Sequence, residues 1–167
     1  MAPSTVADAR RVRPPVTLAR AVALAAVIVV IDRITKHLVV DGIAPGAVHT
    51  FLPGVQLVHY RNSGVAFSFF SGGGPLVTGL TLVALAALLI YFIRNASRPG
   101  LWVPTGLLVG GAVGNLIDRL QSGSVTDFIK LPAWPAFNVA DMAITFGVLA
   151  LLYVLEGPRR REHGRDA

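Results

Sequence analysis

The chain has 167 residues, 53% of them hydrophobic and 14% charged, with a formal net charge of +6 and a mean hydropathy of +0.63. That apolar excess excludes an ordinary soluble domain and predicts a small integral membrane protein. The absence of cysteine excludes disulfides, thiolate metal sites and a cysteine nucleophile.

Residues 1–15 read as a polar cytoplasmic tail, too poor in apolar side chains to fold alone. The first span is predicted over Val16–Val40. Arg10, Arg11 and Arg13 before the apolar core Ala21–Ile31 resemble the start of a cleaved leader, but no small-residue cleavage site follows. The chain continues as DRITKHLVV, so the expectation is a retained helix. Residues 41–74 are the one sizeable piece outside the membrane. There GVQLVHY and GVAFSFF, either side of RNSG, predict a hairpin resting on the outer surface, with Gly72–Gly74 as a flexible return. A second span over Pro75–Arg94, the short turn NASRPG and a third span over Leu101–Leu120 follow. Residues 121–136 are expected to form an extracytoplasmic loop at headgroup level, which Pro132, Trp134 and Pro135 suit. The fourth span is predicted over Phe137–Leu155, and residues 157–167 form a basic cytoplasmic tail.

The fold class that emerges is an all-α integral membrane protein. Residues 16–156 form one domain of four transmembrane helices, with a small β-rich extracytoplasmic cradle and a short extracytoplasmic loop or helix between the last two spans. Of 15 Lys and Arg, Arg33, Lys36, Arg61, Arg119 and Lys130 fall on one side of this layout and the rest on the other. Both termini are therefore expected in the cytoplasm. Basic flanks beside anionic membrane lipids account for the positive charge, so lipid rather than nucleic acid is the expected partner.

On this layout the buried-looking charges share one depth. The first span ends on Asp32, Arg33 and Lys36, the third on Asn115, Asp118 and Arg119, and the fourth begins with Asn138 and Asp141. Asp127, in the loop, lies at the same level. An ionisable group within a span costs at least about 2.5 kcal/mol on insertion scales, so a cluster needs a reason. Asp32 and Lys36 have the i, i+4 spacing of a helical ion pair. Asn115 with Asp118, and Asn138 with Asp141, each share a helix face. Two readings fit. The Asn-x-x-Asp faces knit the bundle by interhelical hydrogen bonds, or two carboxylates meet, share a proton and activate water for peptide hydrolysis. Residue pattern alone leaves open whether Asp118 or Asp127 partners Asp141. The histidines His37, His49, His59 and His163 have no metal-ligand spacing, and no serine motif is present, so neither metal nor other cofactor is expected. A non-enzymatic transporter or lipid-binding protein is the competing class, although transporters carry their polar groups nearer the bilayer midplane.

Five blocks settle on one family. DRITK at Asp32–Lys36, RNSGVAFS at Arg61–Ser68, GGAVGNLIDR at Gly110–Arg119, VTDFI at Val125–Ile129 and FNVAD at Phe137–Asp141 occur in that order. Together they resemble the lipoprotein signal peptidases, signal peptidase II. The resemblance implies a monomeric aspartyl endopeptidase of the bacterial cytoplasmic membrane with its site near the outer face. Such an enzyme removes the signal peptide of diacylglyceryl-modified prolipoproteins by cutting before the lipidated cysteine. It implies Asp127 and Asp141 as the catalytic pair. Asn62, Asn115, Asp118, Arg119 and Asn138 orient substrate or the pair, and Asp32 and Lys36 support it. The loop between the two aspartates is short, and Lys130 in it is expected to point toward headgroup phosphates.

Overall fold

The computed structural model describes residues 14–63 and 73–156. The terminal tails and the run GVAFSFF lie outside the described residues. Four long helices dominate: α1 (Pro14–Gly42), α2 (Gly73–Arg94), α3 (Trp102–Ser122) and α4 (Val139–Glu156). Their bounds fall within a few residues of those predicted from hydropathy. Three of them, Pro15–Gly42, Leu76–Arg94 and Val139–Glu156, are long and apolar enough to cross a membrane.

The helix below that threshold, α3, is the one the others surround. It packs along α1 and α4 and touches α2. The most apolar windows of α1, α2 and α4 are only 22%, 6% and 17% buried, so their side chains face outward, as a lipid-facing helix requires. A central helix meets protein instead and needs close approach more than greasiness. The glycines supply it. A Cβ on Gly111 would stand 2.5 Å from the Ala140 carbonyl oxygen, and one on Gly114 would stand 2.7 Å from Asp32 Oδ2. At the far end of the bundle Arg98, in the α2–α3 turn, donates to the Val154 and Leu155 carbonyls at 2.6 and 3.0 Å and so caps the last turn of α4.

The remaining elements form a three-stranded antiparallel sheet of order β1 (Val48–Leu52), β2 (Val55–Asn62) and β3 (Val125–Lys130). Here the expected hairpin is corrected. GVQLVHY pairs with the preceding segment VHTFL through a turn at Pro53–Gly54, where Gly54 takes a φ of +79° open only to glycine at low cost. Arg61 and Asn62, expected in a turn, are the last residues of β2. The second correction concerns residues 121–136, expected as loop or helix: they contain β3, with no helix among the described residues beyond the end of α3. VTDFIK is rich in β-branched and aromatic residues, and pairing with β2 on one edge and with Phe137 on the other satisfies its backbone.

The turn from α3 into β3 has a specific local cause. Gly123, at φ +71°, takes the left-handed cap position and donates to the Arg119 carbonyl. Three residues on, the Thr126 N–H bonds Asp118 Oδ2 at 3.1 Å, so a side chain of α3 fixes the start of β3.

Candidate active site

The first turn of α4 is built as a reciprocal cap. Asn138, immediately before the helix, accepts the Asp141 N–H on its Oδ1 at 2.9 Å, and Asp141 Oδ2 accepts the Asn138 N–H at 3.2 Å. The Asn-x-x-Asp pattern of this block is thus a helix-start signal as well as a polar face. It aims the Asn138 amide away from its own helix, where Nδ2 donates to Asp127 Oδ1 at 2.8 Å and to Asn115 Oδ1 at 3.2 Å. One asparagine therefore touches both Asp127 and Asp141.

Each of these two carboxylates is held by amide donors. Asp127 Oδ2 accepts Asn62 Nδ2 at 2.9 Å from the end of β2, and Asp141 Oδ1 accepts Asn115 Nδ2 at 2.8 Å from α3. Asp127 is 3% exposed, whereas Asp141 is half-buried and lines a surface cleft. Burial pushes the Asp127 carboxyl up to about 6, the charge of Asp141 adds to the rise, and the Asn62 and Asn138 hydrogen bonds oppose it. An acid poised near neutrality beside a second carboxylate is the arrangement that holds one proton between two groups.

A second polar group lies beneath. Lys36 Nζ stands 2.8 Å from Asp32 Oδ2 and 3.0 Å from Asp118 Oδ2, and donates to Asn115 Oδ1 at 2.9 Å. Arg33 meets Asp118 Oδ1 at 2.6 Å and Gln121 at 3.1 Å. Asp32 Oδ1 accepts the Ala140 N–H at 3.0 Å, pinning the start of α4 to α1. The expected i, i+4 pair is therefore present and extends into a four-residue ion cluster of two acids and two bases. Asn115 joins the two groups, accepting from Lys36 and donating to Asp141.

Most residues singled out from sequence converge: Asn62, Asn115, Asp127, Asn138 and Asp141 in the upper network, Asp32, Lys36 and Asp118 in the lower. Arg119 stands apart. It is half-buried and reaches only the Asn115 backbone carbonyl, at a long 3.5 Å, among the described residues. Lys130, expected to reach for phosphates, instead donates to the Trp134 carbonyl at 2.7 Å. Sequence reading gave Arg33 no role, although its place three residues before Lys36 in a polar turn marks a second cation on that level. It also missed the tie between Arg61 Nε and Ser124 Oγ at 3.0 Å, which joins β2 to the α3–β3 turn. Among the described residues no group of three His, Asp or Glu is placed to hold a metal ion.

Known proteins share this arrangement of sequence and fold. The family model described as Signal peptidase (SPase) II matches residues 24–156. The lipoprotein signal peptidase of Moorella thermoacetica is 38% identical over 148 residues, covering 86% of this chain and 96% of that protein. That of Syntrophomonas wolfei is 39% identical over 139 residues, covering 81% and 93%. A bacterial membrane enzyme solved by the in meso method at 1.9 Å superposes with a TM-score of 0.79 at 30% identity, covering 84% of this chain and 95% of that one. With the match running from within α1 to the end of α4 and including the sheet, the chain belongs to the signal peptidase II family.

Proposed function

We propose that this bacterial membrane peptidase removes the signal peptide from diacylglyceryl-modified prolipoproteins by cutting before the lipidated cysteine, with Asp127 and Asp141 activating a water molecule. The observation that carries the reading is the pair of carboxylates bridged by Asn138 and ringed by amide donors rather than by cations. Amide N–H groups orient the carboxylates without cancelling their charge, and burial with mutual repulsion gives the pair its drive to take up one proton.

Asp127, the more buried, holds that proton. Asp141, at the cleft, acts as base. As the water oxygen bonds the scissile carbonyl carbon, Asp141 takes a water proton and Asp127 donates to the carbonyl oxygen. Collapse of the tetrahedral species breaks the C–N bond, the proton on Asp141 goes to the cysteine nitrogen, and Asp127 recovers its own. Asn62, Asn115 and Asn138 position the two carboxylates, and Asp32, Lys36 and Asp118 hold the helices that carry them. Arg119, apart from both, is assigned a place at the substrate side.

The layout proposed with this reading has four spans, α3 being the central one, both termini in the cytoplasm, and the sheet and site at the outer face. Residues 1–15 and 157–167 are tails to a single monomeric domain. A substrate whose cysteine carries acyl chains presents its scissile bond at headgroup depth, the level of the polar layer. The test is cleavage of a diacylglyceryl-modified prolipoprotein by purified protein in detergent, beside Asp127→Asn, Asp141→Asn and Asp118→Asn. Loss of cleavage in the first two, with the third impaired through stability, supports the assignment. Cleavage that survives either of the first two overturns the pair, and a folded parent that cuts nothing revives the ligand-binding alternative.

A further inference from the structure

We propose that the cleft between α4 and the β3–α4 turn receives an acyl chain of the lipid-modified cysteine, an inference that rests on the processing reaction above. The cleft has a volume of about 320 Å³. Leu131, Trp134 and Phe137 line it from the turn, Met142 and Phe146 from α4, and Asp141 is the charged group in its wall. Thr145 also lines it, but its hydroxyl is bonded to the Asp141 carbonyl at 2.9 Å.

Three features select the occupant. An Asp141 carboxylate in the wall means that whatever fills the cleft is attached within a few bonds of the peptide bond being cut. The lining is otherwise apolar and holds no cation, which disfavours a headgroup or a charged side chain. And α4 is apolar enough to span a membrane, with Phe146 56% and Trp134 62% exposed, so the cleft opens toward lipid rather than toward water. An alkyl chain bonded to the residue after the scissile bond meets all three.

The wall is also built in advance. Phe137 pairs with Ile129, Lys130 Nζ holds the Trp134 carbonyl at 2.7 Å, and Trp134 N–H bonds the Leu131 carbonyl at 3.3 Å. Within this turn Ala133 stands at φ +57°, a backbone conformation that L-residues seldom adopt. The signal peptide has its own route. A second apolar cleft of about 280 Å³ lies between α2, α3 and α4, lined by Ala84, Ala112 and by Ile144, one turn from Asp141.

The experiment compares cleavage of synthetic prolipoproteins that differ only in acyl length: dibutanoyl, dioctanoyl and dipalmitoyl. In the parent, kcat/KM rises with chain length. In Met142→Ala and Phe146→Ala the advantage of dipalmitoyl over dioctanoyl falls about tenfold, through KM. Tyr153→Ala, on an exposed α4 position far from the cleft, keeps the parent's dependence. An unaltered length dependence in both cleft variants overturns the proposal. So does a changed preference for the side chain preceding the cysteine with length dependence intact, which assigns the cleft to the peptide. A parent that cleaves none of the substrates sinks the processing reading itself. For variants that fail to fold, Asp127→Asn is photolabelled with a substrate bearing a diazirine on its acyl chain. Label at Leu131, Met142 or Phe146 supports the site, and label confined to Ala84–Leu88 rejects it.

Discussion

Asp32 and Asp118 are stabilised by cations, Asp127 and Asp141 by amides, although Asn115 links the two sets. In the lower cluster Arg33 and Lys36 balance the two acids, so the group is neutral without a shared proton. The upper pair has no cation in direct contact among the described residues, and its formal charge of –2 falls only by taking up a proton. On the proposed assignment, one polar layer in a membrane protein holds a brace and a reactive centre side by side. A carboxylate paired with a cation has its charge balanced in place. Burial and a second carboxylate, against the pull of the N–H donors, raise the proton affinity of Asp127.

Substitutions should separate the two groups by the quantity they change. Asp127→Asn and Asp141→Asn should lower prolipoprotein cleavage about a thousandfold or more without lowering the melting temperature, as measured by single-turnover cleavage and thermal melts in detergent. Lys36→Met should do the reverse. It leaves Asp32 buried without its cation, while Asp118 keeps Arg33, a loss of about 3–5 kcal/mol seen in denaturation midpoints. Equal losses of activity and stability in both sets would erase the distinction.

The pH response sharpens it further. Asp127 is raised in the folded protein from 3.8 to about 6, so folding favours its protonated form. Its stabilising contribution is full below the unfolded value and is lost as pH rises through about 6, a change on the order of 3 kcal/mol. Melting temperature followed from pH 3.5 to 7.5 should fall between about pH 4 and 6 in the parent and level off above, and this component should be missing in Asp127→Asn. The smallest effect is expected from Arg33→Gln. Its side chain is 39% exposed, and solvent screens its pairing with Asp118, so the cost is about 1 kcal/mol or less by denaturation.

The helices were legible because hydropathy reports what lipid demands, and the spans of α1, α2 and α4 follow directly from it. The polar layer was legible for the same reason, since Asp32, Asn115 and Asp141 stand out within apolar runs. The strand VTDFIK was not. Six residues followed by Pro132 and Pro135 read as a loop when their pairing partner lies some seventy residues earlier, at Gln56 and Asn62. The choice between Asp118 and Asp127 was equally closed to pattern. Both sit near Asp141 in depth, and only the coordinates show Asp118 committed to Arg33, Lys36 and the Thr126 N–H. Arg33 escaped because adjacent charges in one helical turn do not reveal which of them turns inward.

The reciprocal cap at the start of α4 has a dynamic corollary. Asp141 closes the first turn of its helix with the side chain that also lines the cleft. Rotating that carboxylate toward a bound peptide uncaps the turn, a loss of about 1 kcal/mol that is recovered when it swings back. Substrate engagement and fraying of this helix end are thus linked equilibria. Substrate turnover should register as a loss of amide-exchange protection at Asn138.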